Sequence, residues 1–327
     1  MVAAANMRAA PDLGVEQLHH PPGKRRTPRQ LPAATHNAEF PDCLLTHPAA
    51  QSTGMSRPSV TSVDVLRVRG LDFTNEPDPV AVEEPLEIRL AWTDASGPRE
   101  KVISVTMRTP GEDYDLAAGF LFTEGDVRSS ESVESIRHWG GPNVVRVALR
   151  EGCTFDASTI ERHFYTTSSC GVCGKSSIEA VRIARPAALA SRPPLSASLV
   201  HRLPALLQST QEGFRSTGGL HGAAIIDRQG RLLTLREDVG RHNATDKAIG
   251  ASFRTGATPL ADAILMVSSR ASFELVQKAL VAGIPALAAI GAPTSLAIEL
   301  ARDAGMTLVA FVRDQRFNVY AGNIDPT

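Results

Sequence analysis

The amino-acid sequence predicts a mixed α+β / α/β fold, in which a small α+β sheet domain (residues 55–165) precedes a layered α/β domain (196–327). Three observations predict it. Val63–Arg69, Pro85–Trp92 and Lys101–Arg108 alternate apolar and polar residues, the period of half-buried strands. From residue 218 onward, strand-like and helix-like segments take turns, the pattern of a layered α/β domain. The continuous apolar runs Ile264–Val267 and Leu308–Val312 suit strands covered on both faces.

Residues 1–54 stand apart. Pro11, Pro21, Pro22, Pro28, Pro32, Pro41 and Pro48 punctuate a stretch with no sustained period, and Lys24, Arg25, Arg26 and Arg29 form a small basic cluster. Such a segment buries too little apolar surface to offset its ordering entropy, so it reads as a disordered leader. Met55 opens the strand-like sequence and is expected to be the initiator, which the intact mass of natively expressed protein decides.

Within 55–165, Asp113–Thr123 carries Leu116, Ala117, Phe120 and Leu121 at helical spacing and stops at Gly125. Strands Ser132–Trp139 and Val144–Leu149 follow, suggesting sequential antiparallel strands with one crossing helix. Residues 166–195 are rich in Ser, Thr and Gly and then in Pro, and read as a mobile Cys-bearing loop and connector. A helix is expected over Ser196–Gln208. A hairpin follows, Ala223–Ile226 and Arg231–Leu235 around the turn 227–230. After it come helices at 241–253, 271–282 and 294–304 and strands at 263–268, 285–290 and 307–312.

Composition narrows the function. The 327 residues are 43% hydrophobic and 21% charged, with formal net charge −1, so nothing global points to nucleic acid or an anionic membrane surface. Aromatics at 5% argue against stacking platforms for single strands. The longest apolar tract, Ala279–Ala292, is broken by Gly283, Pro285 and Gly291 and is too short to span a bilayer. Cys43, Cys153, Cys170 and Cys173, two of them three apart, read as reduced thiols in a cytoplasmic protein.

The pair Cys170–Cys173 admits three chemistries. Structural zinc needs four ligands, and neither a second pair nor a His-x(3–5)-His accompanies this one. Dithiol exchange usually places such a pair at a helix start after a buried strand, whereas Tyr165–Ser169 is polar. A persulfide carrier needs a reachable thiolate on a swinging segment, and Lys175 with a helix starting near Ser176 favours the thiolate.

A second constellation is Gly218–His221 with Glu237–Lys247, where six ionisable groups fall within the eleven residues 237–247. Composition alone favours a capped, salt-bridged surface helix, with Asp238 as the cap. The abrupt join to the apolar strand Leu232–Leu235 favours instead a ligand site at the carboxyl edge of a sheet, with His221, Arg241 and His242 lining it. The turns Val267–Arg270, which holds Ser269, and Gly291–Ser295 expose helix N-termini. With Arg313 and Arg316, they suit a phosphate-bearing ligand. Neither Gly-x-Gly-x-x-Gly nor a Walker motif is present.

Taken together, Ser-Ser-Cys-Gly-Val-Cys-Gly (168–174), Gly-Gly-Leu-His (218–221), Glu-Asp-Val-Gly-Arg-His-Asn-Ala-Thr-Asp-Lys (237–247), Ser-Ser-Arg (268–270) and Phe-Val-Arg-Asp-Gln-Arg-Phe-Asn-Val-Tyr (311–320) resemble the FdhD family of formate dehydrogenase accessory sulfurtransferases, over roughly residues 60–322. The resemblance implies that sulfur from a cysteine desulfurase passes, as a persulfide, to the molybdenum of a bis-molybdopterin guanine dinucleotide cofactor that formate dehydrogenase then receives. It implies that Cys170 carries the persulfide, that Cys173 assists, and that Phe311, Val312, Arg313, Asp314, Gln315 and Arg316 contact the cofactor. It further implies a homodimer and a larger domain similar to the cytidine deaminase fold. The deaminase zinc signature itself is missing, so deamination is not expected. The competing expectations are a non-catalytic cofactor-binding chaperone and a dithiol oxidoreductase.

Overall fold

The computed structural model describes residues 57–153, 189 and 192–327. The leader and most of the expected Cys loop, including Cys170 and Cys173, lie outside the described residues.

Strands β1 (Val60–Arg69) and β2 (Asp72–Ala81) pair as an antiparallel ribbon. On one face Arg67 forms ion pairs with Glu76 and Asp78. On the other, Leu66, Val68 and Phe73 are exposed. Strands β3 (Glu84–Asp94), β4 (Gly97–Arg108), β5 (Val133–His138) and β6 (Val144–Leu149) make a four-stranded sheet in the order β4-β3-β6-β5. Alternation along β3 turns Leu86, Ile88 and Leu90 inward, each fully buried. Helix α1 (Asp113–Thr123) has the bounds the sequence predicts. It crosses the sheet before the β5–β6 hairpin, so β6 lies parallel to β3. The expectation of antiparallel neighbours fails at this pair because a crossover, unlike a hairpin, returns the chain in the same direction.

The remaining elements build a second sheet. Strand β7 (Leu195–Ser196) leads into helices α2 (Ala197–Thr210) and α3 (Glu212–Thr217). Then come β8 (His221–Asp227), β9 (Leu232–Asp238), helix α4 (Arg241–Arg254), β10 (Ala263–Val267), helix α5 (Phe273–Val281), β11 (Ala286–Ala289), helix α6 (Ser295–Asp303), β12 (Thr307–Arg313) and β13 (Arg316–Ala321). A short β14 (Ile324–Asp325) pairs with β7. The six strands run in the order β13-β12-β11-β10-β8-β9, with β10, β11 and β12 parallel.

Both faces of this sheet are covered, as the apolar runs require. On one face, Leu199, Val200 and Leu203 of α2 pack on Ile226, Ile264 and Met266. On the other, Ile225, Leu265 and Leu287 join a single apolar cluster with Leu116 and Leu121 of α1, Ile249 and Phe253 of α4, Leu275 of α5, and Leu86 and Ile88 of β3. Helices α1 and α4 are therefore the layer through which the two sheets share a core. Among the described residues, no helix is long and apolar enough to cross a membrane.

Candidate functional site

The topology brings five chain segments to one edge of the six-stranded sheet. Strands β10, β11 and β12 run parallel and end there. Strand β8, antiparallel to β10, starts there at His221. Strand β9 ends there, with Asp238 opposite His221 in register. The sequence-predicted residues His221, Arg241, His242 and Ser269 thus come from three different elements or their ends. Backbone bonds lace the edge: the Gly291 amide donates to Ser269 O at 3.0 Å, and the Phe311 amide donates to Gly291 O at 3.2 Å. Gly291 is required by close approach, since a β-carbon there would stand 2.9 Å from Arg270 N.

Helix α4 begins at this edge and is not the surface helix its composition suggests. Ala244, Thr245, Asp246, Lys247, Ala248 and Ile249 are all buried. Its N-cap is Gly240, not Asp238; Asp238 closes β9, and its carboxylate accepts the Gly240 amide at 2.8 Å. Among the described residues no side chain makes a cap hydrogen bond to this terminus, which leaves its first amides to a ligand or solvent.

Electrostatics at the edge are set by burial and by Arg241. Burial, followed by the Arg241 guanidinium, holds the His221 imidazole below its ordinary pKa, against a smaller opposing pull from Asp238. His221 Nδ1 lies 3.4 Å from the Ser268 hydroxyl, which in turn accepts the Gly222 amide at 3.0 Å. His242 is pushed down to about 3 by burial, then by the charges of Lys278 and Arg241. It is therefore a neutral imidazole at physiological pH. Its Nε2 has no hydrogen-bond partner among the described residues, with the Glu274 carboxylate 3.9 Å away.

Beside His221 a cavity of about 320 Å³ opens between α2, α3 and the sheet edge. Leu207, Phe214 and Leu220 make apolar wall, and Gln211, His221 and Ser268 supply polar groups. Gln211 is 3% exposed, and its Nε2 has no partner among the described residues. Sequence reading missed Gln211, because it sits in the joint between two short helices and nothing local marks it.

The Phe311–Arg316 segment is the end of β12, the two-residue turn Asp314–Gln315 and the start of β13. Phe311 adopts φ 54°, a left-handed backbone that a bulky residue rarely takes, and its side chain is exposed. Arg313, Asp314, Gln315 and Arg316 are exposed beside it, whereas Val312 is fully buried in the α2-side core and offers only its backbone. Among the described residues, no group of three or more His, Cys, Asp or Glu side chains is placed to hold a metal.

A family model described as the FdhD/NarQ family matches residues 81–324. The chain belongs to the FdhD/NarQ family. A sulfur carrier protein FdhD from Streptomyces avermitilis is 46% identical over 268 residues, covering 79% of this chain and 92% of that one. The counterpart of the same name from Mycolicibacterium paratuberculosis is 48% identical over 253 residues, covering 75% and 90%. A solved structure from Desulfotalea psychrophila, described as a formate dehydrogenase accessory protein, superposes with a TM-score of 0.62 at 24% identity, covering 81% of this chain and 98% of that one. At that identity the superposition speaks for the fold, which is thus an FdhD/NarQ-type arrangement of α+β and α/β layers.

Proposed function

We propose that the protein is a sulfurtransferase that serves formate dehydrogenase. The relatives named as sulfur carrier proteins support sulfur carriage, and Cys170 is the thiol positioned in sequence to carry it. In the proposed loading step, the Cys170 thiolate attacks the terminal sulfur of a persulfide on a cysteine desulfurase. A new S–S bond forms on Cys170, and the donor cysteine leaves as thiolate. Cys173 assists. In the proposed hand-over the Cys170 S–S bond breaks: the terminal sulfur passes to the molybdenum of bis-molybdopterin guanine dinucleotide, the acceptor substrate, Cys170 leaves as thiolate, and the metal in its reduced state supplies the two electrons that convert sulfane sulfur to sulfide.

The single observation that best supports the acceptor is the convergence, at one sheet edge, of the uncapped α4 terminus, Arg241, His221, Ser269 and the Phe311–Arg316 turn. Helix amides and guanidinium groups suit pyrophosphate. An exposed aromatic held at φ 54° suits a flat heterocycle. Neutral His221 and His242 add hydrogen-bonding capacity without adding charge.

A homodimer and a cytoplasmic location belong to the same reading. The dimer is supported by Leu66, Val68 and Phe73 on one face of the β1–β2 ribbon, which are 58%, 52% and 62% exposed. Apolar patches of this kind are usually covered.

The experiment is complementation. In a strain lacking the protein, the wild-type chain should restore formate dehydrogenase activity and Cys170→Ala should not. Full restoration by Cys170→Ala would leave a cofactor chaperone, not a sulfurtransferase.

A further inference from the structure

A polar cluster whose buried charges are fully hydrogen-bonded lies just behind the Arg241–His242 turn. Asp238 and Lys247 are both fully buried, with Nζ 2.8 Å from Oδ2. The three ammonium protons have three acceptors: Asp238 Oδ2, Thr109 O at 2.9 Å and Glu237 O at 3.3 Å. The carboxylate is filled as well. Oδ1 accepts the Gly240 amide at 2.8 Å and Asn243 Nδ2 at 3.1 Å, and Oδ2 accepts the Thr109 amide at 3.1 Å. Asn243 Nδ2 also donates to Met107 O at 2.7 Å, and the Val239 amide donates to the Thr109 hydroxyl at 3.2 Å.

A desolvated ion pair is weak evidence for stability, because an apolar pair of similar volume often serves as well. A network with every donor and acceptor used, however, permits one geometry. The residues it fixes are informative. Val239 and Gly240 form the bend between β9 and α4, clamped from the β4–α1 side by Thr109 and Met107. Arg241 and His242 follow at once, and Asp238 stands opposite His221.

We propose that Asp238 and Lys247 are positioning residues for the sulfur hand-over: their pair fixes the bend that holds Arg241 and His242 against His221 at the acceptor edge. This rests on the sulfurtransferase reading for the step it serves. The charge of Arg241 already acts on both imidazoles, so a shift of the bend is readable at His221.

The test uses the full-length protein with the charge-neutral double substitution Asp238→Asn/Lys247→Met, and Asn243→Ala as a milder cut that keeps the Asp238 and Lys247 charges. Four quantities are measured: the urea midpoint, desulfurase-dependent sulfur loading of Cys170, activation of formate dehydrogenase, and the His221 titration by NMR. The variants should fold and load Cys170 as the wild type does. Activation should fall at least tenfold in the double variant and about threefold in Asn243→Ala. The His221 midpoint is read in Asn243→Ala, where the upward pull of Asp238 is retained, and it should rise toward the ordinary histidine value as Arg241 moves away.

An unchanged His221 midpoint with normal activation would overturn the proposal. So would loss of loading and activation together, in step with the urea midpoint, which is the behaviour of a purely structural pair. Failure of the wild type to load Cys170 would sink the sulfurtransferase reading instead, and the His221 titration would still decide whether the pair positions the turn.

Discussion

Gly119 of α1 and Gly250 of α4 meet backbone to backbone. A β-carbon on Gly119 would stand 1.9 Å from Asp246 O, and one on Gly250 would stand 1.9 Å from Asp115 O. The two helices through which the sheets share a core thus cross at a contact that only glycine fits. Gly119→Ala and Gly250→Ala should each destabilise the fold by about 3 kcal/mol, at the upper end of overpacking costs. Urea denaturation measures this, and the double variant should cost less than the sum, because one separation of the helices relieves both clashes.

The layer between the sheets also contains charge. Lys278 Nζ lies 2.9 Å from the Thr123 hydroxyl, 3.0 Å from Glu124 Oε1 and 2.9 Å from Asp246 Oδ1. The two carboxylates keep this buried ammonium charged, above the usual lysine range despite its burial. Lys278→Met strands Asp246 without its counter-ion and should cost about 3–5 kcal/mol. Adding Asp246→Leu should recover at least about half of that, as a thermal and chemical double-mutant cycle will read.

His242 links this layer to acid stability. Its native pKa of about 3 lies below the ordinary histidine value of 6.5. Between those values the unfolded chain binds a proton that the native chain does not. Stability therefore falls as pH drops below about 6.5, by up to about 1.4 kcal/mol per pH unit, until the native imidazole also protonates near pH 3. Unfolding midpoints followed from pH 7 to pH 4 should show this slope, and His242→Gln should flatten it.

Exposed Arg313 and Arg316 offer the converse case, function without stability. Arg313→Ala/Arg316→Ala removes two charges from the β12–β13 turn and touches no core residue. The urea midpoint should stay within about 0.5 kcal/mol of wild type. Formate dehydrogenase activation in a complemented strain should fall at least tenfold if the turn grips the cofactor phosphates.

Periodicity exposed the elements that carry their own apolar pattern. Helix α1 and the runs of β10 and β12 are legible because Leu116, Leu121, Ile264 and Leu308 announce a face or a buried strand by themselves. Strand β2 was hidden by Asn75, Pro77, Asp78 and Pro79. A two-stranded ribbon tolerates proline because only one edge of each strand needs its amides. Strand β13 was absorbed into a motif, although Phe317 and Val319 alternate with polar residues.

The site divides in the same way. His221, Arg241 and Ser269 could be nominated from local pattern, but the burial of α4 could not. Buried Lys247 donates to Thr109 O, 138 positions away, and buried Asp246 accepts from the Thr123 hydroxyl, 123 positions away. A charged stretch looks solvated until its distant partners are known.

The central claim concerns one sulfur atom. The purified full-length protein, incubated with a cysteine desulfurase and cysteine and then analysed by peptide mass spectrometry without reductant, should gain a single sulfur on the peptide bearing Cys170, and Cys170→Ala should gain none. Sulfur accumulating elsewhere, or an unchanged Cys170 peptide beside an active desulfurase, would contradict the account.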